Sequence, residues 1–562
     1  MHKTTFSPFH KDAAIVVCLS ACVVLLYYWS LPDWWISSDD PELLAFAAKY
    51  SFWEYTFNPE TWRKLTTANL TPLVLGLYDL DLALFGLNAH AHYLHNLFSA
   101  ACLAGTAYIF MRLCMRPWLA ALGTFAWCVT PVFVFSVHDL MSRHYLEGLL
   151  WAVLAILSFR YAVVKEKTWV SLVAGACFLI AVLYKEIYAP LVAVLLFCPV
   201  GSKAIIWRRR IKALLPCLAA AAVYPLYRLW MLGVWIGGYG DLHTQSYALV
   251  PALKLISVQM WPNAWWFMFI PVSLAVCALV QWSRQSLQHL MCALTIILGT
   301  LLPLSQVLPV LSTRHVLLPT FLLILGALYA VNTFWNMRGL KAKILSLIIL
   351  AIIFFGLIPN HFEQRHIIEH RADLATAQGR FLWENSHAGD VLLVQALPSW
   401  YVGGLQKMAH NVQDRALVTK PIFDLCHFFY VSDFQLLTEN INVFRYDFQE
   451  RKIKDVEKES IRHKLTQCRH VYKDTLLEGE LRQEGSRVHW KFRPYTSGAY
   501  SLVSSKTGST YPLPPEGSVP GKLQDMLQGP LHLCYAHPDG WHTCRRLIEK
   551  DNALQTENHE QN

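Results

Sequence analysis

From Ala13 to Pro359 the chain alternates long apolar runs with short polar clusters, and from His361 onward the pattern turns polar. A helix that crosses a bilayer needs about 20 mostly apolar residues. On that ruler roughly eleven spans are predicted, over 13–31, 92–111, 118–137, 145–164, 168–184, 187–201, 213–235, 263–282, 288–311, 315–335 and 343–360. The fifth and sixth are short, and Lys185-Glu186 leaves room only for a tight turn between them. Segment 75–88 is apolar in flavour but carries Asp79 and Asp81, so it reads as interfacial or looped rather than spanning. The expected fold class is mostly α: a polytopic transmembrane bundle over 1–360, with a first outer loop over 32–91, then an α+β domain over 361–562.

The polar region opens with amphipathic spacing over His361–Asn385, carried by Phe362, Ile367, Ile368, Leu374 and Phe381, which predicts a helix. Strands are expected from Asp390, from Arg487 to Phe492 and from Ala499 to Val503, separated later by turns such as Leu513 to Gly517. Asp551–Asn562 reads as a disordered tail. Cys426, Cys468, Cys534 and Cys544 lie in this region, an even number that permits disulfides in an oxidising compartment. Cys534 and Cys544 flank His537-Pro538-Asp539-Gly540, a turn sequence that folds the two cysteines together as a hairpin. The cysteines within the apolar runs read as small buried hydrophobes.

Composition agrees with lipid as solvent: of 562 residues, 54% are hydrophobic and only 15% are charged, against about a quarter in ordinary soluble domains. The net charge of +9 sits largely in alternate loops. With the N-terminus inside, inner connections carry Arg112 and Arg116; Arg160, Lys165 and Lys167; Lys203, Arg208, Arg209, Arg210 and Lys212; Arg284; then Arg338, Lys341 and Lys343. Most outer turns carry one cation, such as Arg143, Lys185 or Arg314. This bias predicts a cytoplasmic N-terminus and, for an odd span count, a C-terminal domain outside. No small-residue cleavage site follows the first span, so it reads as a retained helix. No basic patch interleaved with aromatics lies on a soluble face, which argues against nucleic acid as partner.

Candidate chemistry concentrates outside. Directly after the first span, Trp34-Trp35 forms an aromatic pair suited to a membrane interface, and Ser37-Ser38-Asp39-Asp40-Pro41-Glu42 follows. Asp40, with Pro41 at the first helical position, is a good cap for a helix running to Lys49. A cap needs only one acid, however. Two adjacent carboxylates repel and raise one pKa, which suits a general base. Spacing alone leaves cap and catalysis both open.

Further along the loop come Asn69-Leu70-Thr71-Pro72-Leu73 and then Phe85-Gly86-Leu87-Asn88, with His92, His95, Asn96 and Leu97 entering the second span. An acidic pair, an N-x-x-P-L element and an F-G-L-N-x-x-x-H-x-x-H-N-L element, in that order, resemble the GT-C class of membrane glycosyltransferases. The nearest branch is that of the transmembrane O-mannosyltransferases and the lipid A aminoarabinose transferase relatives. Tyr184-Lys185-Glu186 resembles the K-E turn of that branch, and Ser312-Thr313-Arg314-His315 through Pro319 resembles its R-Y-x-x-x-P element, with His315 in place of tyrosine. The match covers about residues 33–190 and 312–320.

The resemblance implies an inverting transfer of sugar from a polyprenyl-phosphate donor to a hydroxyl of a lipid, glycan or protein acceptor at the outer face. The setting it implies is a bacterial inner membrane with a periplasmic C-terminal domain. Asp39 aligns with the family's first acid and is the expected base, with Asp40 in reserve. Arg314, then Lys185, is expected to hold the departing phosphate, since cations stabilise the charge that grows there. Lone cations at span ends also occur simply as snorkelling residues.

Arg228 is an intramembrane charge and so a binding candidate by default. Asp139, Arg143, His144 and His92 complete the expected substrate-binding set. His90, His92 and His95 invite a metal reading; some GT-C enzymes use a divalent ion, but the expectation here is none. Trp261, Trp265 and Trp266 read as aromatic belt rather than prenyl groove. The rival from another class is a transporter or flippase of a lipid-linked sugar, which predicts several midplane charges or paired broken helices. Arg228 is the one deep charge read here, and no internal repeat is visible.

Overall fold

The computed structural model describes residues 9–37, 39–66, 69–198, 200, 207–235, 249–260, 269–285, 287–307, 311–337, 339–385, 390–394, 397, 399–422, 426, 430, 442–484, 487–504, 510–520, 530–550 and 553–557. Trp261, Trp265 and Trp266 lie outside them. Two compact units result: Met1–Asp33 with Tyr50–His370, and Trp34–Lys49 with Arg371–Asn562. Segment 34–49, read from sequence as part of the membrane domain's first loop, thus groups with the C-terminal unit.

In the first unit the helices are α1 (Phe9–Tyr27), α3 (Phe52–Phe57), α4 (Pro59–Leu65), α5 (Pro72–Phe85), α6 (Ala89–Arg112), α7 (Pro117–Cys128), α8 (Pro131–His138), α9 (Arg143–Lys165), α10 (Thr168–Tyr184), α11 (Leu191–Phe197), α12 (Trp207–Leu232), α13 (Leu249–Met260), α14 (Phe269–Ser283), α15 (Leu287–Val307), α16 (Leu317–Asn336) and the start of α17 (Leu340–Glu384); α2 (Asp40–Lys49) belongs to the other unit. Among the described residues, seven helices are long and apolar enough to cross a membrane, or eight if α7 and α8 form one span. Shorter apolar helices occupy Thr168–Tyr184, Glu186–Phe197 and Val272–Ser283. Each of the predicted spans overlaps one of these, and 199, 201, 263–268 and 308–310 of those spans lie outside the described residues. The α7–α8 pair bends by 61°, because Pro131 has no N–H to continue the ladder and the Thr130 hydroxyl instead accepts from Phe133 N–H to start α8.

The bundle packs through small residues. A Cβ on Gly175 of α10 would meet Pro216 Cβ of α12 at 2.6 Å, and one on Gly123 of α7 would meet Leu328 of α16 at 2.4 Å. Close backbone approach of this kind replaces the hydrophobic drive that lipid removes. Two sequence expectations need correction. Segment 75–88, read as interfacial or looped, is largely helical, within α5, and α5 is not among the helices long and apolar enough to cross a membrane. The helix predicted from 361 is no separate element: α17 runs unbroken through that position for 45 residues, with Pro359 inside it.

The second unit holds two sheets. Strands β1 (Val391–Leu393), β2 (Lys420–Ile422), β3 (Val443–Asp447) and β4 (Lys452–Asp455) form one in the order β2-β1-β3-β4, with β1 parallel to both β2 and β3. Helices α18 (Ser399–Gln413) and α19 (Lys458–Val471) belong to the same unit. The larger sheet contains β5 (Glu478–Glu484), β6 (Arg487–Arg493), β7 (Ala499–Ser504), β8 (Thr510–Leu513), β9 (Glu516–Pro520), β10 (Leu531–Ala536), β11 (His542–Lys550) and β12 (Ala553–Thr556), in the order β8-β7-β10-β11-β12-β5-β6-β9. One face buries Leu481, Val488, Phe492, Leu502, Leu533 and Tyr535.

The expected disordered tail is overturned in its first part. Residues 553–556 insert between β11 and β5 and bury Ala553 and Leu554, without which the sheet would part there. Cys534 faces Cys544 across β10–β11 and is bonded to it, and Cys426 is bonded to Cys468.

Segment 34–49 is integral to this unit. Tyr401 of α18 accepts a hydrogen bond from Trp34 Nε1 at 2.9 Å and donates to the Trp35 carbonyl at 2.7 Å. Lys407 pairs with Glu42 at 2.6 Å, and Asn411 donates to the Ala45 carbonyl. Gly404 makes the crossing possible, since a Cβ there would stand 2.8 Å from the Glu42 nitrogen.

Candidate functional site

The first unit gathers its polar side chains into three neighbouring groups. One is built around Tyr145, at the start of α9. Lys185, which ends α10, holds its Nζ 5.2 Å from the centre of the Tyr145 ring. His315 meets the same ring edge-on at 5.4 Å, and His144 lies 4.3 Å from it. The Tyr188 hydroxyl donates to the Tyr145 carbonyl at 2.6 Å. Arg314 belongs to the turn Thr313–Val316, closed by Ser312, whose N–H donates to His315 Nδ1 at 3.0 Å. The charges of Lys185 and Arg314 both act on buried His144 and on His315. Lys185, Arg314 and His144, expected from sequence as site residues, are therefore brought together here.

Beside this cationic group lies an apolar pocket. Tyr145, Ile187, His315, Leu318 and Pro319 line one side, and Gly299, Thr300, Pro303 and Leu304 of α15 the other. Tyr145 and His315 thus belong both to the cationic group and to the pocket wall, and two cations next to two buried histidines suit an anionic group.

Asp81 centres the second group. Its carboxylate is fully buried and receives Arg143 Nη2 at 2.6 Å and His95 Nδ1 at 2.6 Å, with His92 Nδ1 at 4.0 Å. Arg143 also donates to the His92 carbonyl at 3.0 Å and lies over the Tyr78 ring, while His92 Nε2 contacts the Gly86 carbonyl. Burial opposes the Asp81 charge, but the hydrogen bond from His95 and the charge of Arg143 outweigh it and hold the carboxyl below its ordinary range. His92 and Arg143, two further expected binding residues, sit in this network. Among the described residues, no group of three or more His, Cys, Asp and Glu is arranged to hold a metal ion.

The third group joins Arg228 to Glu186. Arg228, buried in α12, donates to the Glu186 carboxylate, which also accepts from the Leu70 N–H at 3.0 Å. Asp139 stands apart from these groups in its bonding: its carboxylate accepts from the Ser142 hydroxyl at 2.5 Å and starts the turn Leu140–Ser142.

The acidic pair lies in the second unit. The Asp39 carbonyl accepts the first helical bond of α2, from Leu43 N–H, so Asp39 takes the cap position that sequence reasoning gave to Asp40. Asp40 is one residue inside the helix and wholly buried, and its carboxylate accepts from Ser37 N–H at 3.3 Å. Asp39 is partly exposed.

Sequence reasoning missed three residues as participants: Asp81, Glu186 and Tyr145. An acid inside an apolar stretch was the available signal for Asp81. Tyr145 follows His144 with nothing in its surroundings to single it out.

No protein-family model and no curated protein matches the chain. Among solved structures, the chain is similar to ArnT from Cupriavidus metallidurans in the apo state, with TM-score 0.43 and 11% identity over 74% of this chain and 86% of that one. The same protein bound to undecaprenyl phosphate gives 0.43 and 12% over 78% and 94%. The archaeal oligosaccharyltransferase AglB from Archaeoglobus fulgidus, in complex with an inhibitory peptide and a dolichol-phosphate, gives 0.43 and 10% over 90% and 75%.

Proposed function

We propose that this protein is a GT-C-class membrane glycosyltransferase. It transfers a sugar from a polyprenyl-phosphate donor to an acceptor hydroxyl at the outer face, with inversion. The observation that carries this reading is that Lys185 lies over the Tyr145 ring and that Lys185 and Arg314 both act on the buried His144 and on His315. The sequence elements that resemble the class, in their order along the chain, support it independently.

In this reading the two cations bind the phosphate of the donor. Asp39 removes the proton from the acceptor hydroxyl as its oxygen attacks the anomeric carbon. The bond from that carbon to the phosphate oxygen breaks, and the negative charge passes to the lipid phosphate, where Lys185 and Arg314 stabilise it. Asp40, buried and bonded to Ser37, shapes the turn that presents Asp39.

The test is transfer by purified protein from radiolabelled polyprenyl-phosphate sugars to acceptor lipids and glycans. Asp39→Asn is expected to lose about 10²–10⁴-fold in rate, the usual worth of a positioned base. Full transfer by both Asp39→Asn and Asp40→Asn would sink the base assignment. The absence of transfer from every polyprenyl-phosphate sugar by active-folded wild type would sink the class.

A further inference from the structure

Arg228, an intramembrane charge that could pair with a carboxylate as easily as with phosphate, has its guanidinium turned to a carboxylate of the protein. Glu186 accepts from Arg228 and from the Leu70 N–H, and so ties α12 to the segment that leads into α5. Glu186 is also the residue after Lys185, and the two form the turn between α10 and the short helix Glu186–Tyr188. That turn is further fixed by Tyr188, whose hydroxyl bonds the Tyr145 carbonyl. Lys185 therefore holds its place over Tyr145 on a backbone anchored one residue away by an ion pair between the half-buried Glu186 and the buried Arg228.

We propose that Glu186 and Arg228 are positioning residues: their pairing, with the Leu70 N–H, sets the Lys185–Glu186 turn and presents Lys185 to the ligand. The inference rests on the reading of Lys185 as a phosphate-binding group. It assigns Arg228 no contact with the donor. A long, flexible ammonium chain gains fixed direction only from its backbone and from the ring it lies over. A carboxylate that is bonded from two sides is a rigid anchor for that backbone.

Lys185 labelling tests the positioning directly, without relying on turnover. A brief pulse of acetic anhydride on the full-length protein in detergent, read by mass spectrometry, reports exposure of the Lys185 amine. Labelling is expected to rise at least about threefold in Glu186→Gln and to stay near wild type in Arg228→Lys, which keeps the charge. Removing Glu186 strands the buried Arg228 guanidinium, so that single variant can fail to fold. Glu186→Gln combined with Arg228→Met removes both charges and is expected to give the same raised labelling.

The kinetic counterpart is a donor KM raised about tenfold with kcat changed less, since the loss is of phosphate binding shared by ground and transition states. Unchanged Lys185 labelling in Glu186→Gln and in the double variant overturns the proposal. So does a fall in kcat alone with donor KM unmoved. If wild type neither transfers sugar nor binds undecaprenyl phosphate, the functional reading fails, while the labelling result still decides whether Glu186 positions Lys185.

Discussion

Lys185 and Arg314 reach one buried patch from distant parts of the chain, and each contributes a cation where burial makes charge count. If they hold a lipid phosphate, Lys185→Ala and Arg314→Ala should each weaken binding of undecaprenyl phosphate, measured by a thermal-shift titration, by about 1.5–3 kcal/mol. Arg314→Lys should lose part of that, because a point charge replaces a fork. Equal affinity in wild type and both alanine variants would remove the phosphate role. Asp81 calls for a different expectation. Asp81→Asn leaves the guanidinium of Arg143, itself almost fully buried, without its counter-charge. Loss of one partner from such a pair costs about 3–5 kcal/mol, which should appear as a much lower melting temperature in detergent. The motif around Lys185 and Arg314 was legible because those residues stand alone at the ends of apolar runs. The pairing of Asp81 was not, because its partner Arg143 lies 62 residues on, beyond the reach of any local pattern.

Elements were read best where one solvent dictated the pattern. Apolar runs long enough to meet lipid on all sides need no periodicity, and among the described residues each contains a helix. The hairpin at Cys534 and Cys544 was readable because turn chemistry and pairing coincide: Gly540 sits at φ +85, and His537 N–H donates to the Trp541 carbonyl. Strand β12 was missed since its four residues acquire a reason to be extended only once β11 and β5 exist on either side. The continuous α17 was missed because its character changes from apolar to charged within one helix, which composition reads as a boundary.

Strand β10 carries its own prediction. The His532 side chain is held by burial, and by Arg546 beside it, down to a pKa of about 4. Its ordinary value is about 6.5, so between those values the unfolded chain binds a proton that the folded strand refuses. The stabilisation is fully present above that window and is lost as pH falls through it. Thermal melting of the full-length protein should therefore show a steeper loss between about pH 6.5 and 4 than His532→Gln shows. Identical slopes would refute the assignment.

At the scale of the molecule, the chain divides by contact rather than by sequence order, since 34–49 folds with residues beyond 370. Gly404→Leu is the direct probe of this arrangement. The added side chain cannot occupy the space between α18 and α2, and overpacking of this kind costs about 1–3 kcal/mol. Limited trypsin digestion should then cut sooner at Lys49 and Lys407, with peptides identified by mass spectrometry. An unchanged digestion pattern would argue against the packed interface. Composition could not reveal this union, because α2 and α18 are each ordinary amphipathic stretches until paired.

The bond between Trp34 and Tyr401 joins residues 367 positions apart. At ordinary rates of synthesis the first partner leaves the ribosome on the order of half a minute to a minute before the second exists. During that interval α2, with the buried Leu43, Leu44 and Phe46, lacks its native partner α18. Biogenesis of this protein thus includes an enforced wait. A ribosome that stalls before Ser399 releases a product that lacks the helix against which α2 packs.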